Sequence, residues 1–135
     1  MNKKNIGIAL IDDHVLLRNG LASLIQAFEG YTVLFEADNG KDFIHQLGKN
    51  TIPDIILLDI TMPEMNGYEA VRQIRIQAGT NQNALICALS GLVDSATVDK
   101  VLSSGMNRHL SKPVSFEELN TLLGQVAHRV GVESA

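Results

Sequence analysis

The chain has 135 residues, 45% of them apolar, with a net charge of −4, and no apolar run approaches the roughly 20 residues needed to cross a bilayer. Its 11 lysines and arginines are scattered rather than striped, which argues against direct contact with nucleic-acid phosphates. The single cysteine, Cys87, cannot form an internal disulfide, and Asp12 and Asp13 arrive too early for a signal peptide, so the expected location is the cytoplasm.

Ile6 to Ile11 is apolar throughout, as a strand covered on both faces would be. Leu17, Leu21, Leu24, Ile25 and Phe28 recur at spacings of three and four and predict a helix ending near Gly30. Residues 31–37 make a second strand, Asn39-Gly40 turns the chain, and Phe43, Ile44 and Leu47 mark a short helix that stops near Gly48. Pro53 bars helix and starts a third strand over 54–58. A loop over 59–66 leads to a helix carrying Tyr68, Val71, Ile74 and Arg75. A strand over 83–89, a helix over 93–103, a strand over 107–111 and a last helix striped by Phe116, Leu119, Leu122, Leu123 and Val126 complete the pattern. Such alternation predicts an α/β fold, a doubly wound (βα)5 sandwich, as one domain over 1–135 with its core at 5–128 and a tail at 129–135.

In an open α/β sheet, ligands sit beyond the carboxyl ends of the strands, where the strand order reverses. The first strand ends in Asp12-Asp13, the third in Asp59, the fourth in Ser90, and the fifth runs into Lys112-Pro113. Taken singly, each has a plain structural explanation. An aspartate would cap the first helix, Asp59 would be the polar end of a buried strand, Ser90 would cap the helix after it, and Lys112 would be an exposed lysine. A cap, however, uses one aspartate and leaves its neighbour as a like charge. With Asp59 the count is three carboxylates in one small space, for which a hard divalent cation, Mg²⁺ first, is the simplest counter-ion. A carboxylate beside such an ion can attack a phosphoryl group and become an aspartyl phosphate. Ser90 would donate a hydrogen bond to a phosphoryl oxygen, and Lys112 would bring a compact positive charge.

These residues resemble the receiver domain of bacterial response regulators over 5–128. Asp12-Asp13 matches its acidic pair, Asp59-Ile60-Thr61-Met62-Pro63-Glu64-Met65-Asn66-Gly67 its phosphoacceptor loop, Ser90-Gly91 the hydroxyl residue after the fourth strand, and Lys112-Pro113 its lysine-proline pair. The resemblance implies a flavodoxin-like parallel sheet of order 2-1-3-4-5. It also implies Mg²⁺ held by Asp13, Asp59 and the Thr61 backbone carbonyl, with Asp12 acting through metal-bound water, and a cis Lys112-Pro113 bond. It implies a reaction as well: a phosphohistidine on a sensor histidine kinase or a histidine phosphotransfer protein gives its phosphoryl group to Asp59, and water later removes it. Such a protein is a signalling receiver rather than an enzyme acting on an outside substrate. Ser90 and Lys112 would hold the phosphoryl oxygens and draw in the loop after the fourth strand. The fourth helix, fifth strand and fifth helix would be the readout face for an output domain, a target protein or a phosphorylation-dependent homodimer.

Several positions depart from the family pattern or add to it. Many receivers carry Tyr or Phe three residues before the lysine; here His109 stands there, either as a switch side chain or as an exposed partner contact. His14, directly after the acidic pair, is a conceivable metal ligand but reads as a first-turn helix residue, because imidazole suits Zn²⁺ better than Mg²⁺, and His45 and His128 read as surface residues. Leu92, two places after Ser90, would shield the acyl phosphate and lengthen its life. Residues 12–21 resemble receivers fused to a LuxR/NarL-type helix-turn-helix output, although no such output follows Lys112. That fits a stand-alone receiver or one cut from a longer regulator. Two competing functions are weighed: a phosphatase of the haloacid dehalogenase type, which needs an aspartate where Thr61 stands, and a receiver-like interaction module that works without phosphorylation. A dinucleotide site is excluded, since Asp12-Asp13 replaces the glycine-rich loop.

Overall fold

The computed structural model describes residues 6–47, 53–60, 68–69, 71–72, 85–91, 95–112 and 114–129. β1 (Ile6–Ile11), β2 (Tyr31–Ala37), β3 (Ile55–Asp59), β4 (Leu85–Ser90) and β5 (Arg108–Ser111) form one parallel sheet in the order β2-β1-β3-β4-β5. This is the predicted fold and strand order. The helices are α1 (Val15–Gln26), α2 (Gly40–Leu47), α3, described at Tyr68, Glu69, Val71 and Arg72, α4 (Ser95–Ser103) and α5 (Phe116–Arg129).

β1, β3 and β4 are buried along their whole length because helices cover both faces of the sheet. On one face Ile11, Ile56, Leu58 and Ile86 pack with Phe43 of α2, Val71 of α3 and Val101 of α4. On the other, Ile8, Leu10, Leu57 and Leu85 pack with Ile25 of α1 and with Leu119, Leu122 and Leu123 of α5. The edge strand β5 is only partly covered.

Two corrections concern the helical stripes. Leu17 and Phe116, both predicted to face the core, are 42% and 54% exposed, and Ala22 is buried in α1 instead. Phe116 stacks on Phe28, with ring centroids 5.0 Å apart, which ties the start of α5 to the end of α1. Gly40, predicted to turn the chain, is the first residue of α2, and the Asn39 side chain accepts a hydrogen bond from the Asp42 N–H at 2.8 Å.

The pairing of β1 with β2 shifts by one residue at Ile8/Ala9, and Leu34 is the extra residue on β2. Its side chain lies over Gly7, where a Cβ would meet Leu34 Cδ1 at 2.5 Å. Gly7 also exchanges two bonds with Asp54: its N–H donates to Asp54 Oδ2 at 2.9 Å, and its carbonyl accepts from the Asp54 N–H at 2.8 Å. This links β1 to the residue before β3 at the end of the sheet away from the acidic residues.

Candidate functional site

Strand register delivers the polar residues to one edge. Ile11 pairs with Leu58, so Asp12 follows β1 at the level of Asp59; Asp59 pairs with Leu89, and Ser90 with Ser111. The strand order reverses between β1 and β3, and Asp12 and Asp59 flank that crevice. Asp59, the expected polar end of the third strand, is its last residue and still pairs within the sheet.

Asp12, Asp59 and Ser90 are buried, with 4%, 0% and 2% of their surface exposed. Burying carboxylates is costly without a counter-charge, and Lys112 provides one. Its Nζ lies 2.9 Å from Asp12 Oδ2 and donates to Asp59 Oδ2 at 3.4 Å. Burial alone would lower the pKa of the ammonium, but the hydrogen bond and charge of Asp12 together with those of Asp59 outweigh it, and the net shift is upward. The backbone fixes the lysine too, since its N–H donates to the Ser90 carbonyl at 2.9 Å.

Asp12 does not cap α1. The N-cap is His14, whose side chain makes no capping bond, and Asp12 Oδ1 accepts from the His14 N–H at 2.9 Å instead. Asp13 stands at the exposed rim of the site. Asp12, Asp13, His14 and Asp59 each offer one ligand atom, and these atoms all lie within 4.8 Å of one another. Three carboxylates held this close, two of them buried, have the donor chemistry of a divalent-cation site. His14 is thus brought to the acidic cluster, a placement its reading as an ordinary helix residue did not include.

The Thr61 carbonyl, the Lys112-Pro113 bond and Leu92 lie outside the described residues, as does most of the loop after Asp59. His109 pairs with Ala88 in β5 and is half-buried. Its Nε2 is shielded from solvent and has no hydrogen-bond partner among the described residues.

One residue near the site carries more than its sequence suggested. Arg18 Nη1 donates to the Asp12 carbonyl at 2.6 Å, the Ala37 carbonyl at 3.0 Å and Asp38 Oδ1 at 2.7 Å, and its Nε donates to Glu36 Oε1 at 3.0 Å. It fastens the acidic turn to the end of β2. The available signal was that Arg18 is the one charged residue of α1 while Glu36 and Asp38 close the second strand.

Residues 8–124 match the family model described as the response regulator receiver domain. The chain belongs to this family. The receiver is 45% identical over 119 residues to the transcriptional regulatory protein YdfI of Bacillus subtilis, a span of 88% of this chain and 52% of YdfI. It is 31% identical over 120 residues to the chemotaxis protein CheY of Thermotoga maritima, covering 89% of this chain and 96% of CheY. A solved two-component response regulator of the LuxR family from Aurantimonas sp. superimposes with a TM-score of 0.81 at 30% identity, over 93% of this chain and 87% of that one. The receiver therefore spans about half the length of the transcriptional relatives and nearly all of CheY. Receivers of this family are parts of signalling proteins rather than conventional enzymes. No helix among the described residues is long and apolar enough to cross a membrane.

Proposed function

We propose that this receiver, acting as a single unit over 5–128, takes a phosphoryl group onto Asp59 from a histidine kinase or a histidine phosphotransfer protein. The observation that carries this reading is the contact of the buried Asp59 carboxylate with the Lys112 ammonium, at the crevice where the strand order reverses. Asp12, Asp13 and Asp59 would hold Mg²⁺, with the Thr61 carbonyl as a further ligand. The ion, when bound, offsets the repulsion between an anionic nucleophile and an anionic donor.

The chain's own residues divide the remaining work. An Asp59 oxygen forms the new O–P bond as the donor's N–P bond breaks, and the donor imidazole keeps the electron pair. Lys112, already paired to Asp59, would follow the added charge onto a phosphoryl oxygen, and the Ser90 hydroxyl would donate to another. Water attack at phosphorus then releases phosphate and restores the carboxylate. Val15, Leu16 and Leu17 are exposed beside the acidic turn and offer an apolar footing for the donor protein. The readout face would be α4, β5 and α5, toward an output domain, a target protein or a second copy, and His109 would report on Ser90 from β5.

The test is intact mass after incubation with Mg²⁺ and acetyl phosphate. An adduct of one phosphoryl group on wild type and none on Asp59→Ala is expected. Donor turnover without an adduct would favour a phosphatase, and no reaction at all would favour a module that signals without phosphorylation.

A further inference from the structure

We infer that Arg18 is a positioning residue of the cation site: by holding the peptide between Asp12 and Asp13 it aims the Asp13 carboxylate at the ion. The inference rests on the reading of Asp12, Asp13 and Asp59 as the Mg²⁺ site and names a residue that sets its geometry from outside.

The two neighbouring aspartates are held in different ways. The buried Asp12 carboxylate has partners of its own, the His14 N–H at 2.9 Å on Oδ1 and the Lys112 ammonium at 2.9 Å on Oδ2. The Asp13 side chain is 37% exposed and accepts no hydrogen bond among the described residues, the His14 ring staying 3.6 Å away. Its direction is therefore set by the backbone behind it. Because a peptide unit is planar, fixing the Asp12 carbonyl fixes the line along which the chain enters Asp13. No backbone N–H among the described residues donates to that carbonyl, and Arg18 Nη1 does so at 2.6 Å. The same nitrogen donates to the Ala37 carbonyl at 3.0 Å, which also accepts from the Asp12 N–H at 3.1 Å. Both backbone groups of Asp12 are thus tied to one point at the end of β2.

A second observation concerns charge. A guanidinium beside a cation site would repel the ion, but Glu36 Oε1 accepts from Nε at 3.0 Å and Asp38 Oδ1 from Nη1 at 2.7 Å. Two carboxylates outweigh the one positive charge, so the arginine can hold a carbonyl next to a divalent ion without opposing it. Anchoring α1 to β2 would need only those two side chains. The contact to the Asp12 carbonyl is nevertheless the shortest of the four, and it runs to the one acceptor in the acidic turn.

Calorimetric titration of wild type, Arg18→Met, Arg18→Lys and Ile25→Ala with Mg²⁺ tests this, with ¹⁵N relaxation of the metal-free proteins beside it. Ile25→Ala empties part of the buried face of the same helix, so it loses comparable stability without touching the turn. The expected result is a Kd for Mg²⁺ raised about tenfold or more in Arg18→Met, the lower end of what loss of an outer-sphere partner costs. Arg18→Lys should fall between Arg18→Met and wild type, and Ile25→Ala should match wild type. With no ion present, the order parameter of the Asp13 amide should drop in Arg18→Met. An unchanged Kd or an equally rigid Asp13 amide in Arg18→Met, or in Arg18→Lys if the first variant does not fold, overturns the inference and leaves the cation site standing. So does an equal rise in Kd for Ile25→Ala, which would trace the effect to stability. A wild type that binds no Mg²⁺ overturns the cation-site reading and the inference together.

Discussion

Lys112 compensates two carboxylates that have almost no other access to water, so its removal is not a surface change. Lys112→Ala should cost about 3 kcal/mol, the scale on which a broken buried pair destabilises, and Mg²⁺ should restore part of it. Urea unfolding with and without Mg²⁺ checks both halves. Cys87 gives a second residue-level expectation. Burial pushes its thiol up to about 12, ahead of a lowering by Arg108 and a raising by Glu118, so it should resist thiol reagents at pH 8 until the protein unfolds. The sign for stability follows. The unfolded thiol loses its proton near 9.0 and the folded one only near 12, so stability falls as pH rises through that window, by up to about 1.4 kcal/mol per pH unit. Lys112 acts in the same direction, since its raised pKa contributes stability that is whole below 10.5 and lost as pH climbs through the folded value. Unfolding free energy measured from pH 8 to 11 should therefore decline, and decline less steeply in Cys87→Ala.

Among the elements, α1 depends on Arg18 as well as on its apolar face. Arg18→Ala removes four hydrogen bonds to the ends of β1 and β2, and a loss of about 2–4 kcal/mol is expected, with Arg18→Lys recovering only part because one ammonium cannot reach four acceptors. Thermal unfolding of both variants decides it. Apolar runs made the strands legible in the sequence, because a strand buried on both faces has nothing to hide: β1 reads from Ile6 to Ile11 without a break. Helix faces were less legible. Leu17 fits the spacing of α1 but lies in its first turn and is 42% exposed, and periodicity alone does not tell which positions on a stripe are covered. The site divides in the same way. Asp12, Asp13, Asp59, Ser90 and Lys112 could be placed because strand ends are visible in a sequence. Arg18 could not, since three of its four acceptors, on Glu36, Ala37 and Asp38, lie 18 to 20 residues away and are chosen by sheet order.

For the whole molecule, the acidic edge couples folding to ions. An ion that binds only the folded receiver raises its stability by about 2.7 kcal/mol at a hundredfold excess over Kd. Mg²⁺ should therefore raise the Tm of wild type but not that of the double variant Asp12→Asn, Asp13→Asn, as scanning calorimetry would show. The sheet that positions these groups is unequal across its width, with β1, β3 and β4 sealed on both faces and β5 an incompletely covered edge. Amide protons of the three inner strands should exchange with deuterium only in global unfolding, while those of β5 exchange through smaller openings. Asp12 and Asp59 ride on the slow part and Lys112 on the fast part. The ammonium can thus leave the carboxylates on a timescale of its own, without the sheet ever coming apart.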